Sequence, residues 1–204
     1  MSQVREPPGR ERIGRWRVEQ PSVAPWPTIA PLELGQRAPD FRDLLGADGR
    51  RLSLSSFDDT PLLVIVFSCN GCPTVKASED RMIALQEANG PKGVQLVAIN
   101  SNNSYLSPAD TYPEMVKRAR EKGFNFPYLK DDDGTVGRAY GAISTPHVFL
   151  FDRDRRLRYK GRIDDSRDPA RVTVRDLANA IDDVLAGRPV RVAETTPFGC
   201  AIVR

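Results

Sequence analysis

Apolar residues run without a break from Leu62 to Phe67 (LLVIVF), just after Pro61. No polar residue alternates with them, and β-branched residues fill the centre of the run. A strand of this kind is buried on both faces, which places it inside a largely parallel sheet. Residues 94–99 (VQLVAI) predict a second buried strand. Between the two, over residues 73–88, the period changes. Val75, Met82, Ile83 and Leu85 are spaced among Lys76, Glu79, Asp80, Arg81 and Glu87, which predicts a helix.

Upstream, Phe41 and Leu44 lie on one side of Asp48-Gly49, and Leu52 and Leu54 alternate on the other, so this segment reads as a hairpin. Downstream, a polar loop over residues 100–110 precedes a helix over residues 112–122, closed by Gly123. Residues 126–129 lead into Asp131-Asp132-Asp133-Gly134, and a short helix over residues 135–140 ends at Gly141. Residues 147–151 and 156–159 predict two strands around a polar turn. The last helix is expected over residues 172–185, stopped by Gly187. This order predicts the α/β class: a central mixed sheet flanked by helices, with right-handed crossovers in a parallel core and an antiparallel edge.

The texture of the chain divides it into three parts. Residues 1–31 form a Pro/Arg-rich extension whose large anchors are Trp16 and Trp26; it reads as a mobile arm or as a strap over the domain or a partner. Residues 32–187 form one domain, and residues 188–204 a tail that carries Cys200. The chain of 204 residues is long enough to bury a real core. Its formal charge of +3, with Arg spread along the chain, argues against nucleic acid as a partner. No run approaches the roughly 18 apolar residues of a membrane span. The charged N-terminus has no apolar segment after it, so a cytoplasmic location is expected.

Cysteine is scarce: Cys69, Cys72 and Cys200. In a reducing compartment such a set points to catalysis or metal binding rather than to a structural staple. Cys69 and Cys72 fall at the junction between the first buried strand and the first helix. Unpaired N–H groups at a helix start stabilise a thiolate. The expectation is that Cys69 faces this field and solvent, attacks a target disulfide, and is then resolved by Cys72. Pro73 is tolerated in the first turn, where its missing N–H costs nothing. A zinc reading would need Cys200 and the single His147 as further ligands, and that spacing fits no common zinc module.

Thr145-Pro146 precedes a predicted strand. An X-Pro bond adopts cis at modest cost, and a cis-proline beside the thiols would present backbone groups to an extended substrate segment. The alternative is a trans proline that merely starts a strand. His147 either tunes the thiols or packs at the strand start. Cys200, in a mobile-looking tail with Gly199 before it, either folds back to exchange with the pair or stays inert.

FSCNGCPTVK, GFNFPYLKD, AYGAISTPHVFLFD and YKGRIDD, together with APDF and DGRRLSLSSF in the hairpin, resemble the thioredoxin-like superfamily. Within it, the chain is similar to the redoxin group, relatives of alkyl hydroperoxide reductase and thiol-specific antioxidant proteins. The resemblance covers residues 32–187, with an inserted helical segment after the second strand, and TTPFGCAIVR is similar to the tail of such proteins. It implies a thioredoxin-like fold, Cys69 and Cys72 as the redox pair, and Pro146 as the cis-proline. The chain departs from thioredoxin in its Asn-Gly centre and in having no carboxylate in the strand before the motif, so the proton acceptor is unassigned. Lys76 and Glu79 follow on the helix and read as a solvated surface pair.

The resulting expectation is a thiol–disulfide oxidoreductase without a cofactor. Its partners would be a protein or small-molecule disulfide and a thiol electron donor. A peroxidase using Cys69, with Cys72 or Cys200 as resolver, is the alternative; the Thr and Arg that polarise peroxide in peroxiredoxins are not found in their places around Cys69. A non-catalytic binding module is the third reading.

Overall fold

A computed structural model describes residues 30–204. The Trp16 and Trp26 anchors lie outside the described residues, as does most of the N-terminal extension. The hairpin forms first, as β1 (Leu44–Gly46) and β2 (Arg51–Leu52). Gly49 makes its turn with φ +83°, a conformation that favours glycine. Leu54 does not extend the second strand as expected. It opens a 3-10 turn, Leu54–Phe57, because Ser53 and Ser56 cap each other's main-chain amides.

β3 (Leu62–Phe67) leads into α1 (Pro73–Asn89), then β4 (Val94–Asn100) and α2 (Tyr112–Lys122). β5 (Tyr128–Lys130) follows Pro127; it is too short and interrupted for the apolar pattern to mark it as a strand. The chain continues through α3 (Thr135–Ala139), β6 (Ser144–Thr145), β7 (His147–Phe151), β8 (Leu157–Gly161), α4 (Asp176–Leu185) and β9 (Cys200–Ala201). α4 starts four residues later than expected. The Asp165 carboxylate accepts both the amide and the hydroxyl of Thr173, and the Asp165 amide donates to Val174 O, which hold this segment extended.

Seven strands form one sheet in the order β2-β1-β5-β4-β3-β7-β8. β3, β4 and β5 are parallel, and β7, β8 and the hairpin are antiparallel additions at either side. Every residue of β3 is buried. Val64 and Val66 face α1, α2 and α4 through Met82, Met115, Leu177 and Ile181. Leu63, Ile65 and Phe67 face Phe41, Phe57 and Tyr140. Cover on both faces is the physical reason that the run lacks polar alternation. This is the mixed α/β sheet of the thioredoxin-like fold. Among the described residues, no helix is long and apolar enough to cross a membrane.

Candidate active site

β3 delivers Phe67 to the sheet end, and Ser68 and Cys69 follow immediately. Ser68 still donates its amide to Ile99 O at 2.8 Å, so the strand pairing holds right up to the first cysteine. Cys72 is the N-cap of α1, and Pro73 occupies the first turn. Both cysteines are buried, Cys69 at 3% and Cys72 at 1% exposure. The expectation that Cys69 would face solvent and the helix field therefore needs correction: Cys72 holds the cap, and neither sulfur is open.

Thr145 binds both sulfurs. Its hydroxyl lies 3.1 Å from Cys69 Sγ, and its carbonyl oxygen 3.1 Å from Cys72 Sγ. The Thr145–Pro146 peptide is cis. Cys69 and Cys72 act on each other's ionisation. A hydrogen bond from the Cys69 thiol favours the thiolate at Cys72, helped by the Val75 amide at the helix start. Holding that proton, together with burial, pushes Cys69 up. The contacts to Thr145 work in the opposite sense: its hydroxyl suits a thiolate at Cys69, and its carbonyl suits a thiol at Cys72. The direction that survives both demands is that the first ionisation of the pair is made easy and the second hard.

Asn70, between the cysteines, is fixed at three points. Its amide donates to Asp110 Oδ1 at 2.6 Å, its side-chain nitrogen to Ala109 O at 2.8 Å, and its side-chain oxygen accepts from Tyr128 Oη at 3.0 Å. Burial opposes ionisation of Asp110. Hydrogen bonds from Asn102, Ser107, the Asn70 amide and Asn100 outweigh it and hold the carboxyl below its usual range. This buried carboxylate comes from the loop after β4, and its charge adds to the upward push on Cys69. Neither Asp110 nor Tyr128 stood out in the sequence. The only signal was the run of polar residues after a buried strand.

Glu79 does not form the expected surface pair with Lys76. Lys76 is exposed, whereas Glu79 is 1% exposed and gripped through two nitrogens by Arg118 of α2. His147 packs its ring on Phe149 and accepts the Ile143 amide at 3.4 Å. Burial, with the Lys160 charge behind it, lowers its pKa to about 4. No hydrogen bond joins it to a cysteine.

The tail is docked, contrary to its mobile look. β9 pairs antiparallel with β6, with Thr145 opposite Cys200 and Ser144 opposite Ala201. Further along, Asn103 N donates to Val203 O at 2.8 Å and Val203 N to Asn102 Oδ1 at 2.9 Å. Cys200 is exposed, and its pairing opposite Thr145 sets it beside the residue that contacts both buried sulfurs.

A model of the Redoxin family matches residues 33–181. The chain belongs to the Redoxin family. Among solved structures, this Redoxin chain is similar to a hypothetical protein from Sinorhizobium meliloti, at 38% identity over 85% of this chain and 95% of that one, with a TM-score of 0.79. It is similar to an uncharacterized conserved protein from Geobacillus kaustophilus, at 39% identity over 84% and 92%, with a TM-score of 0.80. It is also similar to a candidate thiol:disulfide interchange protein DsbE from Chlorobium tepidum, at 26% identity over 63% and 84%, with a TM-score of 0.55. None of the curated proteins matches it. Membership in the Redoxin family supports a thioredoxin-like redox function.

Proposed function

We propose that this Redoxin chain is a thiol–disulfide oxidoreductase that cycles a disulfide between Cys69 and Cys72. The observation that carries this reading is the pair of buried sulfurs held on either side of Thr145, one by its hydroxyl and one by its carbonyl oxygen. The cycle starts with one proton on the pair. When a target disulfide reaches Cys69, that proton sits on Cys72, whose thiol donates to the Thr145 carbonyl oxygen. Cys72 is thus the proton acceptor that the strand does not supply. The Cys69 thiolate, steadied by the Thr145 hydroxyl, attacks one target sulfur, and the other leaves as a thiolate that takes up the Cys72 proton. Cys72 then attacks Cys69 Sγ, the Cys69–Cys72 disulfide forms, and the second target sulfur leaves and is protonated by water. The substrate is a protein or small-molecule disulfide, and a thiol donor closes the cycle.

The test is a redox titration of the full chain against a dithiol buffer, with trapping of mixed disulfides by Cys72→Ser. A reversible Cys69–Cys72 disulfide, and target adducts held on Cys69, are the expected results. Absence of a reversible disulfide overturns the reading. A parallel assay with hydrogen peroxide separates the chemistries: Cys69-dependent peroxide loss that is faster than disulfide reduction would favour a peroxidase.

A further inference from the structure

The cycle above leaves the Cys69–Cys72 disulfide with both sulfurs buried, so access limits how fast an external thiol reduces it. The chain also carries a third thiol, and it is exposed. Cys200 sits on β9, which occupies the edge of β6 beside Pro146. Cys200 lies opposite Thr145, the residue that touches both buried sulfurs. The Thr145 hydroxyl also points toward Cys200 O, at 3.5 Å.

This seating is built into the chain. Gly199 has φ +149°, which L side chains rarely adopt. A Cβ there would stand 2.1 Å from Thr145 O and 3.2 Å from Pro146 Cδ. The tail approaches the Pro146 corner this closely only because residue 199 has no side chain. Behind it, Ile202 N donates to Ile143 O at 3.3 Å, and Val203 is tied to Asn102 and Asn103. Two separate anchor points thus hold Cys200 at the Thr145–Pro146 corner.

Resting on the proposed cycle, we infer that Cys200 is a further catalytic thiol that carries the disulfide from the buried pair to the surface. Cys200 loses its proton to water, and its thiolate attacks Cys72 Sγ. The Cys72–Cys200 bond forms and the Cys69–Cys72 bond breaks. Cys69 leaves as a thiolate and takes up a proton, so one disulfide is exchanged for another with no net oxidation. An external thiol then attacks the exposed Cys200 sulfur, releasing Cys72, and a second thiol resolves that adduct. Attack on Cys72 rather than Cys69 follows from the backbone pairing, which sets Cys200 opposite Thr145, whose carbonyl oxygen touches the Cys72 sulfur.

The experiment oxidises the full-length chain briefly with oxidised dithiothreitol, quenches it in acid, and maps disulfides by mass spectrometry without reduction. Cys69→Ser is expected to yield a Cys72–Cys200 disulfide within one chain. Cys200→Ser is expected to form Cys69–Cys72 normally, yet to be reduced by an added protein dithiol about tenfold or more slowly than wild type. Gly199→Ala keeps all three thiols and should show the same slow reduction, because the tail is unseated. If Cys69→Ser yields no Cys72–Cys200 bond, or if both tail variants are reduced at the wild-type rate, the relay is overturned while the two-cysteine cycle stands. If Cys200→Ser forms no Cys69–Cys72 disulfide, the proposed cycle falls and the relay with it.

Discussion

Asp110 accepts the main-chain amide of Asn70 at 2.6 Å, tying the loop after β4 to the turn between the two cysteines. The same carboxylate collects Asn100, Asn102 and Ser107. Asp110→Asn converts an acceptor of four donors into a group that must itself donate. Loss of a buried, fully bonded charge should cost about 3 kcal/mol of stability, measured by denaturant unfolding of the reduced chain. It should also move the redox couple. The Asp110 charge disfavours the Cys69 thiolate, so its removal stabilises the reduced form. The potential of the Cys69–Cys72 couple is expected to become more oxidising in a dithiothreitol titration; an unchanged or more reducing potential would sink this role.

Thr145→Val keeps the backbone that holds Cys72 but removes the hydroxyl from Cys69. A hydrogen bond to a charged group contributes about 1.5–3 kcal/mol, so disulfide reduction should slow roughly tenfold to a hundredfold. The slowing should ease as pH rises, because the lost donor favoured the thiolate. A rate deficit that is constant across pH would count against the hydroxyl's part in ionisation.

Arg118 closes on a Glu79 carboxylate that water scarcely reaches. Arg118→Met leaves that charge buried and unpaired, at a cost of about 3–5 kcal/mol. Glu79→Gln should cost less, since its amide needs no counter-charge. Comparing the two by urea unfolding checks the order; equal losses would mean that the pair acts by packing alone.

His147 gives the fold a dependence on pH whose sign is fixed. Its folded pKa is about 4, against an ordinary value of 6.5, because burial and Lys160 disfavour the imidazolium. Between these values the unfolded chain binds the proton and the folded chain does not. The contribution is whole above pH 6.5 and is lost as pH falls toward 4. The gap corresponds to about 3 kcal/mol. His147→Gln, which still offers an acceptor to the Ile143 amide, should lose less stability than wild type over that window. Parallel losses in the two proteins would remove His147 from the account.

The central sheet and the cysteine pair were legible for physical reasons. A strand covered on both faces must be apolar throughout, as Leu62 to Phe67 is, and a CxxC at a strand-to-helix junction keeps its spacing in the sequence. What escaped was long-range. Asp110 lies forty residues from Asn70, and nothing near it announces the partner. Glu79 follows the helical spacing of a surface residue, and only the approach of α2 buries it. The tail carries no apolar pattern of its own, and its place depends on one glycine meeting a corner formed far upstream. Even the exchange of roles at the helix cap turned on where the helix begins, and no composition decides that.

The strand formed by Cys200–Ala201 also sets a condition on recognition. Any extended visitor that seeks the edge of Ser144–Thr145 finds it already taken, and must compete with a segment tethered in the same molecule. Its apparent affinity is divided by the small fraction of molecules whose edge is vacant. Indiscriminate strand-binders are thereby excluded. Partners that need only its thiol keep a route to the buried sulfurs.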